Sequence, residues 1–550
     1  MKSLVGIRIV VPLMLLLAAG MSGAATVYIT EDGNGDQPTI QAGLDACADG
    51  DTVLVAAGVY FENLTWPATQ DIVLMGESGP DYTYIDGGDA GRVITIEEPL
   101  DRDTLIYGFT IQHGYMVGVN VAGSGGGILC ANGASITIEG NIITENVAYV
   151  TGGGGGGIGC ANCSPHIVDN LITDNRLTSA TTGGAGISCG SADALIEGNT
   201  IFHNLIISEV TTSGGGLYFS NCSPVVTDNT IELNDGGQSG GGLGWGVGAM
   251  PRVTGNLIKQ NHASYGGGFY IHDESAGLIS DNTIKSNSAA MSGGGIFSIL
   301  CTPAINDNLI SFNTALWGGG IFCSERPEVG TATIHHNMIK NNTSMNDMGG
   351  GIYCHDGAAP IVDHCYIADN NGGGVFSLNE TPGLPGPTLL MNTICNNTPF
   401  GLRNDDCTIT IDATNVWWGD PTGPYHVMSN PDGLCNSVSD CVLFSPWLLT
   451  GTDDTDVPDR ATLAQNFPNP FNPLTTFEYS LPERQRVRLV VYGIAGRLIA
   501  KLVDEEMDAG AHRVTWDGCD AQGRELASGT YVVRLETVAG VEARKVMLVR

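Results

Sequence analysis

Two short phrases recur through the middle of this chain at a nearly constant spacing. The first is three glycines followed by an aliphatic or aromatic residue, found at residues 125–128, 155–158, 214–217, 266–269, 318–321 and 349–352. The second is Asn-x-(Ile/Leu)-x-x-Asn, which begins at Asn141, Asn170, Asn199, Asn256, Asn282, Asn308 and Asn337. With Asn229 included, successive first asparagines lie 26 to 30 residues apart. A period of this size marks a stack of similar units, none of which can bury its apolar face alone.

Each repeat unit contains only short apolar runs, such as Ile167-Val168 and Leu171-Ile172, separated by Gly, Asn, Asp and Pro. Such runs predict strands rather than helices. Strands that recur once per turn can pair in parallel with the turn below, about 4.8 Å away. Asparagines at one place in each turn can stack their amides, and glycine at a fixed corner permits positive φ and close backbone approach. The sequence therefore predicts an all-β parallel solenoid over residues 26–448, and its repeats resemble the right-handed parallel β-helix family of pectin-lyase-like proteins.

Both ends of the predicted solenoid carry distinct sequences. Residues 39–47 have helical spacing and residues 51–55 have a strand pattern, which together resemble the N-terminal cap of pectin-lyase-like proteins. A cap is needed because an exposed stack end would template aggregation. Trp417 and Trp418 begin a Trp-Gly-x-Pro-x-Gly-Pro segment, where we expect the rings to plug the far end, with sugar stacking as the alternative.

We therefore divide residues 26–448 into an N-terminal cap with the first turns (26–120), repeats (121–400) and a C-terminal cap (401–448). The opening also resembles pectin methylesterases. The sequence has no match to the catalytic motifs of that family, so this resemblance concerns the fold and not the activity.

The N-terminal segment and the net charge bear on compartment and partners. Lys2 and Arg8 precede an apolar run followed by small residues, which predicts a signal peptide over residues 1–25 and no membrane span in the mature chain. The whole chain has 58 acidic and 23 basic residues, and residues 26–458 carry 46 acidic against 9 basic side chains. A body this acidic repels nucleic acid, so we expect no nucleic-acid partner.

The composition changes after an acidic linker, residues 449–460. Residues 461–550 contain alternating strand patterns divided by glycine turns at about ten-residue intervals, which predict a small β-sandwich. Their order of motifs resembles the C-terminal sorting domain of type IX secretion cargo, also described as an FlgD-like immunoglobulin-type domain. The resemblance implies a bacterial protein delivered to the cell surface or secreted, with the type IX secretion machinery as the partner of residues 461–550.

The cysteines mostly repeat in register with the glycine phrase. Cys130, Cys160 and Cys189 occupy the same place in successive turns, which favours a buried column of small side chains over a disulfide ladder. Cys435 and Cys441 flank a short loop outside the repeats, and we predict that they form a disulfide.

Two classes of function remain open: a polysaccharide lyase or glycoside hydrolase of this fold, and a non-catalytic carbohydrate-binding or adhesion protein. A lyase needs a basic residue, often beside Ca²⁺ held by aspartates, but Lys259, Lys285 and Lys340 share one column that is typical of a solvated ladder. A hydrolase needs two carboxylates. Asp273, Glu325 and Asp356 share a column, but asparagines hold the same place in earlier turns, which is typical of turn chemistry. No catalytic residue is predicted.

A binding face has the clearer pattern. The residue after the glycine phrase points inward, so the next residue points outward by strand alternation. These outward residues form a strip of aromatic rings in the later repeats: Tyr270, Phe297, Phe322, Tyr353 and Phe376. Such a strip could stack on sugar rings or could only stabilise the sheet, for example beneath a loop. We predict a glycan ligand here, with the column of Asp273, Glu325 and Asp356 accepting hydroxyls or holding Ca²⁺. The acidic body favours a neutral glycan, or an anionic one bound with a divalent cation.

Overall fold

The computed structural model describes residues 24–118, 124–150, 154–179, 182–207, 212–324 and 331–450, and residues 461–548 with short gaps. The described residues form two compact units that divide near residue 452. The predicted signal peptide lies almost entirely outside the described residues, and so does most of the linker.

The first unit is a parallel β-solenoid in which each turn adds one strand to each of three long sheets. The first sheet contains Thr26–Ile29, Thr52–Val55, Val73–Gly76, Leu105–Tyr107, Thr137–Glu139, His166–Val168, Leu195–Glu197, Val225–Thr227, Arg252–Thr254, Leu278–Ser280, Ala304–Asn306, Thr333–His335, Ile361–Asp363 and Thr388–Leu390. The second contains Gly58–Phe61, Thr83–Asp86, Thr110–Gln112, Ile142–Thr144, Leu171–Thr173, Thr200–Phe202, Thr230–Glu232, Leu257–Lys259, Thr283–Lys285, Leu309–Ser311, Met338–Lys340, Tyr366–Ala368 and Thr393–Cys395. The third contains Leu64–Thr65, Ile94–Ile96, Ile128–Ala131, Ile158–Ala161, Ile187–Gly190, Leu217–Ser220, Leu243–Gly246, Phe269–Ile271, Ile296–Ile299, Ile321–Ser324, Ile352–His355, Val375–Leu378 and Leu402–Asn404.

The core of the solenoid is a set of apolar columns, one for each sheet. Ile138, Ile167 and Ile196 pair in register on successive turns of the first sheet and are fully buried. Each such side chain contributes about 1.5–3 kcal/mol of burial free energy. The predicted column of buried cysteines is confirmed, with Cys130 and Cys160 paired in register inside the third sheet.

Two asparagine ladders run along the corners that flank the second sheet. Asn256 donates its Nδ2 to Asn282 Oδ1 on the next turn at 3.0 Å and to the Val226 carbonyl at 2.9 Å. The second ladder repeats this pattern, with Asn261 Nδ2 3.0 Å from Asn287 Oδ1. The ladders satisfy backbone groups at corners where water is excluded, so the predicted stacking of asparagines is confirmed.

Lateral extensions between the second and third sheets form two arms. The early arm consists of two stacked sheets, Tyr115–Gly118, Val147–Val150, Arg176–Ser179 and Leu205–Ile206, and Ser124–Gly125, Gly154–Gly155, Thr182–Gly184 and Thr212–Gly214. The late arm is one sheet of His262–Tyr265, Ser288–Ser292, Thr314–Ala315 and Thr343–Ser344. The arms and the stacking of one glycine phrase on the next together explain the phrase, since a Cβ on Gly126 would lie 2.5 Å from the Gly156 carbonyl oxygen. A Cβ on Gly126 would lie 2.7 Å from the Val147 carbonyl oxygen, and one on Gly267 would lie 2.5 Å from that of Ser288.

Both ends of the solenoid are closed. Helix Ile40–Ala46 begins after Thr39, whose side chain accepts a hydrogen bond from the Ala42 N–H. At the far end, the pairs Ile411–Asp412 with Val442–Leu443 and Pro424–Tyr425 with Cys435–Ser437 surround Trp418, which is fully buried in the core. The predicted plug is therefore confirmed for Trp418.

The predicted disulfide between Cys435 and Cys441 is wrong. Cys441 is bonded to Cys407 instead, and Cys435 is a free thiol whose Sγ lies 3.7 Å from the Asp420 carbonyl oxygen. Cys435 begins a strand that pairs with Pro424–Tyr425, whereas the Cys441 backbone pairs with Ile411. Closeness in sequence therefore did not bring the two thiols together.

The second unit contains two antiparallel sheets, as expected for a small sandwich. One has strands Thr462–Leu463, Thr475–Leu481 and Gly510–Trp516, and the other has Gln485–Gly493, Leu498–Met507, Gly529–Thr537 and Gly540–Leu548. Phe477, Leu489 and Val533 lie fully buried in its core.

Candidate functional site

The aromatic residues predicted along the later turns form a continuous column, named here the ring column: Tyr270, Phe297, Phe322, Tyr353 and Phe376. Neighbouring ring centroids are 5.0–5.2 Å apart, and the first two pairs are stacked nearly parallel. The rings point out of the third sheet but are covered: Phe297 and Phe322 are only 6% exposed, Tyr353 3% and Phe376 1%.

The late arm provides this cover. Tyr265, Trp317 and Met348 each precede a glycine phrase and pack against the ring column. The Tyr265 ring centroid, for example, is 5.4 Å from that of Phe297. The ring faces are therefore unavailable to a sugar ring in this structure, and the expectation of an open aromatic strip is corrected. Outward direction on a strand did not imply exposure, because the next lateral extension folds over the sheet.

The predicted carboxylate column occupies turn positions. Asp273 and Asp356 both have positive φ, as do Asn132, Asn162 and Asn221 at the equivalent place. Asp273 Oδ2 lies 2.7 Å from His272 Nδ1, and Asp356 accepts a 3.3 Å hydrogen bond from the Thr381 N–H. Glu325 lies outside the described residues. Asparagine and aspartate both tolerate the left-handed region, so backbone geometry accounts for this column.

The early arm exposes several apolar and aromatic side chains beside ionisable groups. On its outer face Tyr115 is 40% exposed, Tyr149 53%, Val117 57% and Ile207 49%. The alternate residues, such as Met116, Ala148 and Leu177, pack inward on one another. Tyr115 pairs with Val147 and Val117 with Tyr149, so the two tyrosines lie diagonally on adjacent turns of one face. An exposed apolar surface of this kind is a candidate for ligand contact.

A row of ionisable corner residues, named here the acidic corner, leads into the outer face of the early arm. It comprises His113, Glu145, Asp174 and His203, each with positive φ two residues before an arm strand. His113 Nε2 lies 3.0 Å from Glu145 Oε2, and His203 Nδ1 lies 2.6 Å from Asp174 Oδ1. Carboxylates and imidazoles together offer acceptors and donors to a polar ligand.

His113 lies between two carboxylates, those of Asp86 and Glu145. Its Nδ1 lies 2.8 Å from Asp86 Oδ2, which also accepts a 2.8 Å hydrogen bond from Gln112 Nε2. The hydrogen bond with Asp86, and then the Glu145 carboxylate, raise the pKa of His113 against the effect of its partial burial. Burial opposes ionisation of Asp86, yet hydrogen bonds from Gln112 and His113 keep the pKa of its carboxyl below the usual range.

Two further groups of polar side chains bear on the sequence-based predictions. The lysine column is present, with Lys259, Lys285 and Lys340 in register around Ser311, and Lys259 pairs with Glu232 at 2.9 Å. Carboxylate oxygens of Asp71, Asp101 and Asp103 lie within 4.8 Å of one another, which is the chemistry that Ca²⁺ prefers. Neither group lies on the ring column.

Sequence reasoning missed the acidic corner and the exposed tyrosines. A signal was present: Glu145, Asp174 and His203 each directly precede the second asparagine of the repeat phrase, so they share one corner. The exposure of Tyr115 and Tyr149 required knowledge of the lateral arm, because the early strands read as ordinary parts of the turn.

Comparison with known proteins supports both units. A model of the right handed beta helix region matches residues 102–263 and 202–359, and a model of the FlgD Ig-like domain matches residues 474–540. No curated protein sequence matches the chain.

Two solved structures are similar at low identity. One is that of PorZ, an essential bacterial surface component of the type-IX secretion system of Porphyromonas gingivalis, with 20% identity, 18% of this chain and 13% of that chain covered, and a TM-score of 0.13. The other is the Dettilon tailspike protein gp208, with 12% identity, 92% of this chain and 80% of that chain covered, and a TM-score of 0.28. Scores this low do not bear on the function of this chain.

In the part of the chain that the structure describes, no helix has the length and apolar character needed to cross a membrane. The three parallel sheets, the family matches and the antiparallel sheets after residue 461 agree with one another. The chain is therefore a right-handed parallel β-helix protein that carries an FlgD Ig-like domain in its C-terminal part.

Proposed function

We propose that this is a secreted or cell-surface β-helix protein that binds carbohydrate on the outer face of its early arm. The observation that carries the proposal is the exposure of Tyr115 and Tyr149 on one face beside the acidic corner. Tyrosine offers an apolar ring face for a sugar and a hydroxyl at its edge. The arm strands repeat about every 4.8 Å, so a chain ligand lying along the solenoid axis meets similar groups on successive turns.

The polar half of the proposed site is the acidic corner. Glu145 and Asp174 can accept hydrogen bonds from sugar hydroxyls, and His113 and His203 orient these carboxylates by pairing with them. Arg176 is exposed on the same face, within an otherwise acidic body. This arrangement favours a neutral glycan, or an anionic glycan that brings a divalent cation such as Ca²⁺.

The alternative ligand surface is the one expected from sequence, on the late arm side. Among the described residues there, the predicted ligand contacts that solvent reaches are the half-buried Tyr270 and the turn residues Asp273 and Asp356. Binding through Phe297, Phe322, Tyr353 and Phe376 would require the late arm to move away and expose apolar rings to water, which opposes it.

The alternative activity is that of a polysaccharide lyase or glycoside hydrolase. Glu145 and Asp174 lie in one column on adjacent turns, so they are the carboxylate pair that a hydrolase could use. Retaining hydrolases hold their two carboxyl groups about 5–5.5 Å apart. Both are paired with histidines, which favours a binding role over proton transfer to a leaving group.

The binding proposal is tested with a panel of neutral and anionic polysaccharides and purified mature protein, residues 26–550. Retardation in glycan-containing gels measures binding, while absorbance of unsaturated products and reducing ends measures cleavage. Tyr115→Ala with Tyr149→Ala should abolish retardation, and Tyr82→Ala, an exposed tyrosine outside the arm, should not. Unchanged retardation of the double variant would remove the early arm as the ligand surface. Release of products that is lost in Glu145→Gln would replace binding by catalysis.

We propose in addition that the protein is exported through type IX secretion and that residues 461–550 are its sorting domain. The order of motifs in this segment and its FlgD Ig-like match support the proposal. Deleting residues 461–550 should leave the solenoid folded but retained in the periplasm, measured by cell fractionation and protease accessibility. Delivery of the truncated chain to the surface at the normal level would contradict this route.

A further inference from the structure

Three histidines meet at one corner of the solenoid, between the first and second sheets. His335 ends strand Thr333–His335, His336 is the next residue, and His364 directly follows strand Ile361–Asp363 on the following turn. One ring nitrogen from each lies within 4.8 Å of the other two. The ring centroids of His335 and His336 are 3.8 Å apart, and those of His336 and His364 are 5.2 Å apart. The three side chains are 29–43% exposed, so they are open to solvent on one side.

The register of the solenoid creates this cluster. His335 pairs with Asp363 across adjacent turns, which places His336 directly over His364. Both residues have positive φ, 52° and 49°, at the corner place that Asp169, Asp228, Asp281 and Asp307 hold on other turns. Histidine is one of the residues that tolerate this backbone region, so one histidine here needs no further explanation. Turn geometry does not explain histidines on two adjacent turns beside a third that is in the extended strand.

Carboxylates stand behind the three imidazoles. Asp363 uses one oxygen for His335 Nδ1 at 3.1 Å and the other for His364 Nδ1 at 2.6 Å. His336 Nδ1 lies 3.8 Å from Asp307 Oδ1. For His335 and His364, a carboxylate that accepts from Nδ1–H fixes the tautomer in which Nε2 carries the lone pair, and this arrangement is typical of histidines that bind metal ions.

We propose that His335, His336 and His364 bind one divalent transition-metal ion of the Zn²⁺ type through their imidazole nitrogens, with Asp363 and Asp307 as the supporting carboxylates. Imidazole suits Zn²⁺, Cu²⁺ and Ni²⁺, whereas Ca²⁺ and Mg²⁺ take oxygen ligands. Tetrahedral Zn²⁺ with bonds of 2.0–2.1 Å needs nitrogens about 3.3 Å apart. The ring nitrogens lie within 4.8 Å of one another, and rotation of these half-exposed rings that moves the nitrogens by about 1–1.5 Å brings them to the required separation.

Three histidine ligands leave a fourth position of the metal ion for water or an external ligand. The net negative charge of the solenoid increases the local concentration of cations around the site. The site stands on residues outside the early arm, so it does not depend on the proposed glycan-binding function.

The test uses untagged mature protein in equilibrium dialysis with Zn²⁺, and the visible absorption of Co²⁺ as a report on nitrogen coordination. Wild-type protein should bind one Zn²⁺ per chain, and excess Ca²⁺ or Mg²⁺ should not displace it. His336→Asn and His364→Asn keep a residue that tolerates positive φ and should remove the binding. Asp363→Asn should weaken it about 10- to 100-fold through the loss of the supporting carboxylate.

His262→Asn is the matched control, because His262 is an exposed histidine away from the cluster, and its affinity should equal that of wild type. Melting curves of all variants establish that they fold. Equal Zn²⁺ binding by wild type, His336→Asn and His364→Asn overturns the proposal. Displacement of the ion by Ca²⁺ overturns it too, because that result assigns the binding to surface carboxylates.

Discussion

The early and late arms both lead into the glycine phrase, and yet aromatic rings are exposed on the early arm and buried beneath the late arm. In the early arm the first glycine of each phrase, such as Gly125 or Gly155, lies in an extended strand. In the late arm the equivalent Gly266, Gly318 and Gly349 have φ of 62–67°. This left-handed turn lets the residue before the phrase, for example Trp317, fold over the third sheet. The early arm instead lays its inner strands, such as Thr182–Gly184, against that sheet and leaves its outer strands exposed on the other side.

The difference decides which aromatic residues meet water. Behind the late arm the third sheet carries Phe297, Phe322 and Tyr353, which fill the space below the cover. Behind the early arm the same outward positions are Leu129, Gly159, Ser188 and Tyr218, so only one buried ring is found there, and the exposed aromatic residues are on the arm itself. Aromatic side chains therefore stabilise the late half and form an accessible surface on the early half.

The largest expected effect is the loss of stability when the ring column is cut. Replacing Phe322 and Tyr353 together with alanine removes two buried rings whose centroids are 5.1 Å apart. Each large-to-alanine change costs about 3–5 kcal/mol of unfolding free energy, and the sum is not additive because the rings touch. Urea unfolding followed by circular dichroism measures the loss. A double variant as stable as the parent would show that the late arm does not cover these rings in solution.

A smaller loss is expected from the asparagine ladder, which serves both halves. Asn282→Ala leaves the Asn256 amide without its acceptor and the Val253 carbonyl without its donor, at a cost of about 1–3 kcal/mol. Asn199→Ala, at the level of the early arm, should cost about as much. Loss of glycan binding at an unchanged melting temperature in either variant would instead make the asparagine part of a ligand site.

A gain of stability is expected at a single place in the late half, where Cys365 stands at a ladder position. The Asn337 N–H donates to Cys365 Sγ at 3.4 Å, and burial raises the pKa of this thiol to about 12. Cys365→Asn should restore the ladder between Asn337 and Asn392 and add about 0.5–1.5 kcal/mol. The midpoint of urea unfolding measures this, and a lower midpoint would mean that the corner has no room for the amide.

The two halves should also respond oppositely to pH through one histidine each. Because the folded pKa of His113 is raised, its stabilising effect is complete below pH 6.5 and is lost as pH rises through the folded value. Burial lowers the pKa of His272 in the late half, so its effect is complete above pH 6.5 and stability falls as pH decreases below it.

Melting temperatures of His113→Gln and His272→Gln, relative to wild type across this range, measure the two contributions. The difference for His113→Gln should shrink toward alkaline pH, and that for His272→Gln should shrink toward acidic pH. Two differences with the same sign of slope would contradict the opposite shifts.

The repeats were predictable because their signals are local and periodic: strand alternation, corner glycine and paired asparagines each recur at fixed spacing. The second ladder and the buried Cys130 column followed from that register. The burial of Phe322 was not predictable, because it depends on a sign change of φ at Gly318 that the sequence does not mark. The pairing of Cys407 with Cys441 was not predictable either, since it depends on the path of the cap in space.

The most direct test of the contrast between the arms compares two double variants with the parent, using any glycan that the parent binds. Tyr115→Ala with Tyr149→Ala should abolish binding and change the unfolding free energy by no more than about 0.5 kcal/mol, as expected for exposed positions. Phe322→Ala with Tyr353→Ala, assayed below its melting temperature, should bind as the parent does although it is less stable. The opposite pattern, with binding lost only in the Phe322 and Tyr353 double variant, would contradict the account and return the ligand site to the ring column.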